Sequence, residues 1–538
     1  MFFRQKKSGD RTYLQIVENR WEGGGSKQRV ICTLGRLDEL KAAGQLERLL
    51  VSGARFSESM MGIDAHSRGE SPVSAIRRIG PSLIFERLWI ETGLQGVIRS
   101  LVADRKFDFP VERAVFVTTL NRLFTSGSDR FCAKWMADYG VKGTEELELH
   151  HLYRSMAWLG EELSDQESRT FAPRCTKDLI EEELFFGSRN LFSSLDLVFF
   201  DTTSIYFEGE GGQTIGELGH TKDHRPDLKQ MVVGAIIDGA GRPICCELWP
   251  GNTADVKSLI PVVDRLRSRF SIGTVCVVAD RGMISQDTII ELESRQWLYI
   301  LGARMRNQKE VRDEVLSRGG RYQVVPAASP LKVKEVRVEG RRYIVCSNEN
   351  QAKKDAADRE AIIAGLEKKL KQGVKSLVGN KGYRKYLAPN GSSFAIDKEK
   401  IKSESRYDGK WVLRTNTTLP AAEVALKYKQ LWMVEQLFRS AKSLLGTRPI
   451  FHKYDRTIRG HVFCSFLALV LRRALQERLE TKGHCFEWSD IVMDLDNLTE
   501  VELGHDPKRF VLRSQPRGTC GSVFRAVGVA LPPTVRTM

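Results

Sequence analysis

The 538 residues contain no Cys-x-x-Cys pair, no apolar run of membrane length and no Gly-x-x-x-x-Gly-Lys-Ser/Thr motif. Each absence removes a class of protein. The ten cysteines lack the spacing of a zinc ribbon or a disulfide framework. Cys245-Cys246 are simply neighbours in an apolar strand pattern, so reduced thiols and a cytoplasmic location are expected. The greasiest stretch, Val462 to Leu471, falls short of the roughly 20 residues a bilayer requires. Met1-Phe-Phe-Arg-Gln-Lys-Lys carries charge without an apolar core segment, so no signal peptide is expected. Gly23-Gly-Gly25 leads into no Lys-Ser/Thr, which excludes a P-loop. Repeats and long low-complexity segments are also missing.

What is present is positive charge. Lys and Arg number 83 against 68 Asp and Glu, a net charge of +15, which favours an acidic polymer as partner. Against this background three acids stand out. Asp201 ends the apolar run Leu197-Val-Phe-Phe200, and Asp280 ends Val275-Cys-Val-Val-Ala279. In open sheets, ligand and metal sites gather at the carboxyl ends of strands. Glu435 lies in Tyr428-Lys-Gln-Leu-Trp-Met-Val-Glu435-Gln-Leu-Phe-Arg-Ser-Ala-Lys442. Read as one helix, this segment places Tyr428, Leu431, Trp432, Glu435, Arg439 and Lys442 in one arc, with Met433, Val434, Leu437, Ala441 and Leu444 opposite. Two strand-end aspartates and a helix glutamate form a hard-oxygen donor set that selects magnesium or manganese over zinc.

The pattern along the chain predicts an α/β protein. Residues 1–54 read as a small strand and helix unit, with Tyr13–Val17 and Arg29–Cys32 around a turn and a helix over Leu37–Val51. Residues 55–75 read as a linker, and 76–190 as a helical domain, either DNA-binding or scaffold. Strands at 195–201, 231–237 and 244–248 precede a helix from Thr253, its expected N-cap, to about Phe270. A strand at 275–280, a helix from Ser285 and a strand from Trp297 to Gly302 complete the series. This order matches a ribonuclease H-like mixed sheet, in which the first and fourth strands are neighbours. That adjacency would join Asp201 to Asp280. The 154 residues between Asp280 and Glu435 exceed any simple connection. They predict a strand-rich insertion domain, 304–412, within a catalytic core of 191–303 and 413–475. Residues 476–538 read as a less regular tail.

These residues resemble the DDE transposases of bacterial insertion sequences, in the branch whose third acid sits in a Tyr-x-x-Arg-x-x-x-Glu-x-x-x-x-x-x-Lys motif. Tyr428, Glu435 and Lys442 match it. Leu431 stands where that branch has arginine, and Arg439 is the candidate replacement. Phe-Phe-Asp201-Thr-Thr and Val-Val-Ala-Asp280-Arg-Gly resemble the first two acid motifs. Gly219–Gln230, Pro250–Thr253, Asp408–Lys410 and Arg448–Ile450 have the family's look. The resemblance covers about 190–470 well.

It implies metal-dependent DNA cleavage and strand transfer at terminal inverted repeats, by cut-and-paste in a synaptic homodimer. Two divalent ions would be held by Asp201, Asp280 and Glu435, with Asp201 bridging. Tyr428, Arg439 and Lys442 would contact the transposon-end backbone, and Lys222 and Arg225 would track the strand beside the first metal. Trp411 is a candidate for stacking a flipped base if a hairpin intermediate is used. His220 and His224 give only a weak metal signal, and Asp196 and Glu208 lack the strand-end placement of Asp201. The alternatives are a nuclease without strand transfer and a catalytically decayed DNA-binding repressor.

Overall fold

The computed structural model describes residues 1–22, 25–54, 73–125, 127–164, 172–188, 197–219, 225–272, 275–326, 330–371, 385–390, 393–443, 450–505 and 508–537. Two compact units emerge: Met1–Ile84 with Ala137–Val141 and Cys485–Met538, and Phe85–Met136 with Lys142–His484.

In the first unit, strands Phe2–Ser8, Arg11–Glu22 and Gly25–Arg36 form an antiparallel sheet. The edge strand Phe2–Ser8 was not expected, because Phe-Phe-Arg-Gln-Lys-Lys-Ser shows no alternation. The helix expected over Leu37–Val51 is two helices, Leu37–Ala42 and Gln45–Ala54. Gly44, at φ +62°, takes the left-handed turn between them. The expected C-terminal tail is ordered. Strands Thr499–His505, Lys508–Arg513 and Val535–Thr537 join Val73–Arg78 in a four-stranded sheet. Its pairing is long-range: Val501 opposite Ile76 lies far outside any local sequence window.

The second unit has helices α1 (Val111–Phe124), α2 (Asp129–Trp135), α3 (Leu149–Leu159) and α4 (Thr176–Gly187). Further along are α5 (Leu259–Phe270), α6 (Gln286–Ser294), α7 (Glu349–Lys371), α8 (Ala421–Lys429), α9 (Trp432–Ser443) and α10 (Asp455–Thr481). Its strands are β1 (Leu197–Tyr206), β2 (Gln230–Asp238), β3 (Pro243–Pro250), β4 (Cys276–Ala279), β5 (Leu298–Gly302), β6 (Gln323–Val324), β7 (Leu331–Val338), β8 (Arg341–Asn348) and β9 (Lys410–Thr415).

These nine strands form one mixed sheet in the order β6-β7-β8-β9-β5-β4-β1-β2-β3, and Leu387–Asn390 pairs with Ser393–Ile396 in a separate two-stranded sheet. β1 pairs antiparallel with β2, and β2 with β3. β4 is parallel to both β1 and β5. The first and fourth strands are thus neighbours, as the sequence pattern predicts. Four of the strands expected as an insertion, β6 to β9, extend this same sheet, because β9 pairs along the free edge of β5, whereas the strand expected at Ser392–Ile396 lies in the separate two-stranded sheet.

Two expected boundaries move. α5 begins at Leu259 behind Ser258, not at Thr253, with a short 3₁₀ turn at Asp255–Lys257 before it. Pro261 fits the first turn of α5, where its missing N–H is not needed. Ser285 does cap α6, accepting from the Thr288 amide at 3.0 Å.

Alternation assigns the faces of the sheet. Val198, Phe200, Val277, Ala279, Tyr299 and Leu301 pack with Leu259, Val263, Leu266 and Phe270 of α5 and with Ile289 and Leu292 of α6. The intervening residues, Phe199 and Asp201 on β1 and Val278 and Asp280 at the end of β4, therefore face the other way.

Behind β3 lies a buried ionic cluster. The Arg269 guanidinium lies 3.0 Å from Asp178, 2.6 Å from Glu181, 2.7 Å from Glu182 and 3.1 Å from Glu247. Lys177 Nζ lies 2.7 Å from both Asp178 Oδ1 and the Cys246 carbonyl oxygen. Charges this deep are tolerated because each is paired and hydrogen-bonded.

Candidate carboxylate site

Phe200 is in register with Ala279 on the parallel neighbours β1 and β4. The next residue on each chain segment is Asp201 and Asp280, so the two aspartates follow a paired position on strands spaced about 4.8 Å apart. Asp280 directly follows β4. Asp201 does not end its strand: β1 runs on to Tyr206 because β2 stays paired to it, with Asp201 opposite Ala235. Asp201 is half-buried, and its Oδ1 accepts from the Thr202 amide at 2.7 Å.

The segment read as one helix is two. α8 ends at Lys429 and α9 starts at Trp432. Between them the Leu431 amide donates to the Tyr428 carbonyl at 3.0 Å, an i to i−3 bond that tightens the turn. The tightening rotates Leu431 out of the predicted charged arc and into the core, where it is 5% exposed. Leu431, Val434, Phe438 and Ala441 form the buried stripe. Trp432, Glu435 and Arg439 remain exposed, and Lys442 is half-buried. α8 packs on β4 and β5, and α9 on β1 and β2.

Tyr428 projects from α8 onto the sheet, and its Oη lies 3.0 Å from Asp280 Oδ1. Burial, and then the negative charge of Asp280, push the phenol far above its ordinary pKa. It is therefore a neutral hydrogen-bond donor to the carboxylate. Gly302, the last residue of β5, makes room for it: a Cβ there would meet Tyr428 Oη at 2.5 Å. Sequence reasoning missed Gly302. A glycine closing a strand level with a strand-end acid was the available signal for close approach.

Asp280, Tyr428 and Glu435 line one cleft of about 650 Å³, together with Arg281, Lys410 and Trp411. Trp411 is half-buried in β9, opposite Cys346. Farther along the cleft, Asp408 takes both Nη atoms of Arg359 and Glu404 pairs with Arg306 at 2.8 Å. The cleft can therefore present carboxylates and cations side by side to a phosphodiester.

The predicted basic loop lies only partly within the described residues. Lys222, His220 and His224 lie outside the described residues, as does Arg448. Arg225 is exposed, pairs with Asp227 at 2.9 Å and lies over the Tyr206 ring at 5.8 Å. It lies on the segment leading into β2 and does not line the cleft.

This is an α/β protein with a carboxylate-lined cleft at the ends of parallel strands. It belongs to the family of the transposase DDE domain, whose model matches residues 193–471, more than half of the chain. Residues 3–65 match the N-terminal domain of IS1634 family transposases. No curated protein matches. Among solved structures, the chain is similar to the piggyBac transposase in a cryo-EM structure of its synaptic complex with hairpin DNA. Identity is 10%, with 77% of this chain and 79% of that chain covered at a TM-score of 0.39. The chain is a DDE transposase of an insertion sequence, an enzyme that binds, cleaves and recombines DNA. Among the described residues no helix is long and apolar enough to cross a membrane.

Proposed function

We propose that Asp201, Asp280 and Glu435 are the three acids of the DDE site, set in a ribonuclease H-like core that cleaves the transposon ends and joins them to target DNA. One observation carries this reading: two aspartates that each follow a paired position on adjacent parallel strands, with a helix from the same chain bringing a glutamate into the cleft of the second. The division into a core of 191–303 and 413–475, an insertion of 304–412 and flanking units belongs to the same reading.

The donor set is all carboxylate oxygen, which fits magnesium or manganese. When bound, such ions activate an attacking hydroxyl and neutralise the leaving oxygen. The residues of this chain would do the rest. Asp201, Asp280 and Glu435 would hold the ions. Tyr428 would fix the orientation of the Asp280 carboxylate. Arg439 and Lys442, beyond Glu435 on α9, would neutralise backbone phosphates of the inverted repeat, positioning DNA without reading sequence. Lys222 and Arg225 would extend that track, and Trp411 stands in the cleft where a displaced base could stack. Two copies acting at two ends give a synaptic homodimer. A bacterial cytoplasmic setting accords with this role.

The test is cleavage of an inverted-repeat duplex in magnesium. Asp201→Asn should retain end binding in a gel-shift assay and lose nicking. Robust nicking by the variant would remove Asp201 from the site.

A further inference from the structure

Away from the carboxylate cleft, a second group of ligand-type side chains converges. Asp129 opens α2, His461 lies in the second turn of α10, and His452 sits in the short segment leading into α10. Asp129 and His461 are buried, and the His452 side chain is 11% exposed. Asp129 Oδ2 lies 3.1 Å from His452 Nε2 and 3.9 Å from His461 Nδ1. The two imidazole nitrogens are 3.1 Å apart. Ligand atoms on a tetrahedral zinc stand about 3.3 Å apart, given bonds of about 2.0–2.1 Å.

The Arg122 guanidinium closes one side of this triangle. Arg122 Nη2 donates to Asp129 Oδ1 at 2.9 Å and lies 3.0 Å from His461 Nδ1, while Nη1 donates to the Gly127 carbonyl at 2.5 Å. Asp129 Oδ2, His452 Nε2 and His461 Nδ1 nonetheless all lie within 4.8 Å of one another. One cation at the centre would be within reach of all three atoms.

We propose that Asp129, His452 and His461 bind one divalent transition-metal ion, with zinc the best match to two imidazoles and one carboxylate. Cys132 and Cys464 lie one turn further along α2 and α10. Neither sulfur is among the converging atoms, so the donor set is His₂Asp. Arg122 is the opposing term. It must yield its contact with His461 Nδ1, and its charge lowers affinity, but it continues to hold Asp129 Oδ1 as an outer partner that orients the ligand. The ion would tie the segment between α9 and α10 to α2, giving a structural site separate from the cleft that magnesium would use.

The full chain, stripped with a chelator and kept in excess Mg²⁺, should take up one equivalent of Co²⁺. Four-coordinate d–d absorption should appear and be lost on adding Zn²⁺. His452→Ala should abolish the band, and Asp280→Asn should keep it. Zn²⁺ should raise the melting temperature of the wild type and not that of His452→Ala. The metal-free melt of that variant shows whether it has folded. Should it prove unfolded, His452→Gln replaces it. A band that survives loss of His452, disappears with Asp280→Asn, or never forms would overturn the proposal.

Discussion

Tyr428 donates its phenolic hydrogen to Asp280 across 148 positions of sequence, with Oη 3.0 Å from Oδ1. The family resemblance alone would put this tyrosine on the DNA backbone. The geometry makes it a positioning residue for a carboxylate, with Gly302 opening the path. Tyr428→Phe keeps the ring and deletes the donor. A hydrogen bond to a charged group is worth about 1.5–3 kcal/mol, so end cleavage should fall roughly 10- to 100-fold. End binding in a gel shift should stay within about twofold. Equal losses of binding and cleavage would return Tyr428 to the DNA.

Lys442 lies in the last turn of α9, half-buried. If it meets a phosphate, each such contact adds to the salt dependence of binding through counterion release. Lys442→Ala should make the slope of log affinity against log salt shallower by about one unit. An unchanged slope with an unchanged melting temperature would remove Lys442 from the DNA surface.

Arg269 is the hub of the ionic cluster behind β3. Arg269→Met would leave Asp178, Glu181, Glu182 and Glu247 short of a cation in a buried site. Removing one partner of a buried pair costs about 3–5 kcal/mol, so the melting temperature should drop sharply. The pH dependence carries a sign. In the wild type, burial opposes the Asp178 charge but Lys177 and Arg269 hold its pKa low, whereas burial leaves Glu181 raised. In the variant both should move up. A raised folded-state carboxyl binds more protons than the unfolded chain, so stability rises as pH falls. The gap between variant and wild type should therefore be smaller near pH 5 than near pH 7.5. A gap that widens on acidification would show that the cluster does not depend on Arg269.

The parts of this fold that were legible in the sequence are those governed by local pattern. The runs before Asp201 and Asp280 are apolar because both strands are covered on both faces, and the order of five strands and two helices follows from periodicity and turns. The sheet edge was not legible. Nothing local says that β9 adds to β5, or that Val73–Arg78 pairs with Thr499–His505, since such partners are chosen by long-range packing. The 3₁₀ turn at Leu431 was also invisible. A reading at 100° per residue assumes a regular helix, and one tight turn is enough to move a residue from one face to the other. The His452, His461 and Asp129 cluster escaped because Asp129 lies more than 300 positions before the two histidines.

Leu431 and Arg439 test that last point. If Leu431 stood on the charged face, Leu431→Arg would restore a family-like cation, and it would rescue a loss caused by Arg439→Ala. The structure buries Leu431 at 5% exposure, in line with Val434, Phe438 and Ala441. An arginine there would either bury an unpaired charge or pull the start of α9 off the sheet, costing several kcal/mol. Arg439 is exposed one turn beyond Glu435. In the reading above it neutralises phosphate near the reacting bond, so Arg439→Ala should lower end cleavage by up to about 100-fold at little cost in melting temperature. Leu431→Arg should lower the melting temperature, and the double variant should show both losses with no rescue. Cleavage rates and melting temperatures of the two single variants and the double variant decide the matter. Recovery of cleavage in the double variant would place residue 431 back on the DNA-facing side, and wild-type cleavage by Arg439→Ala would end its assignment to phosphate.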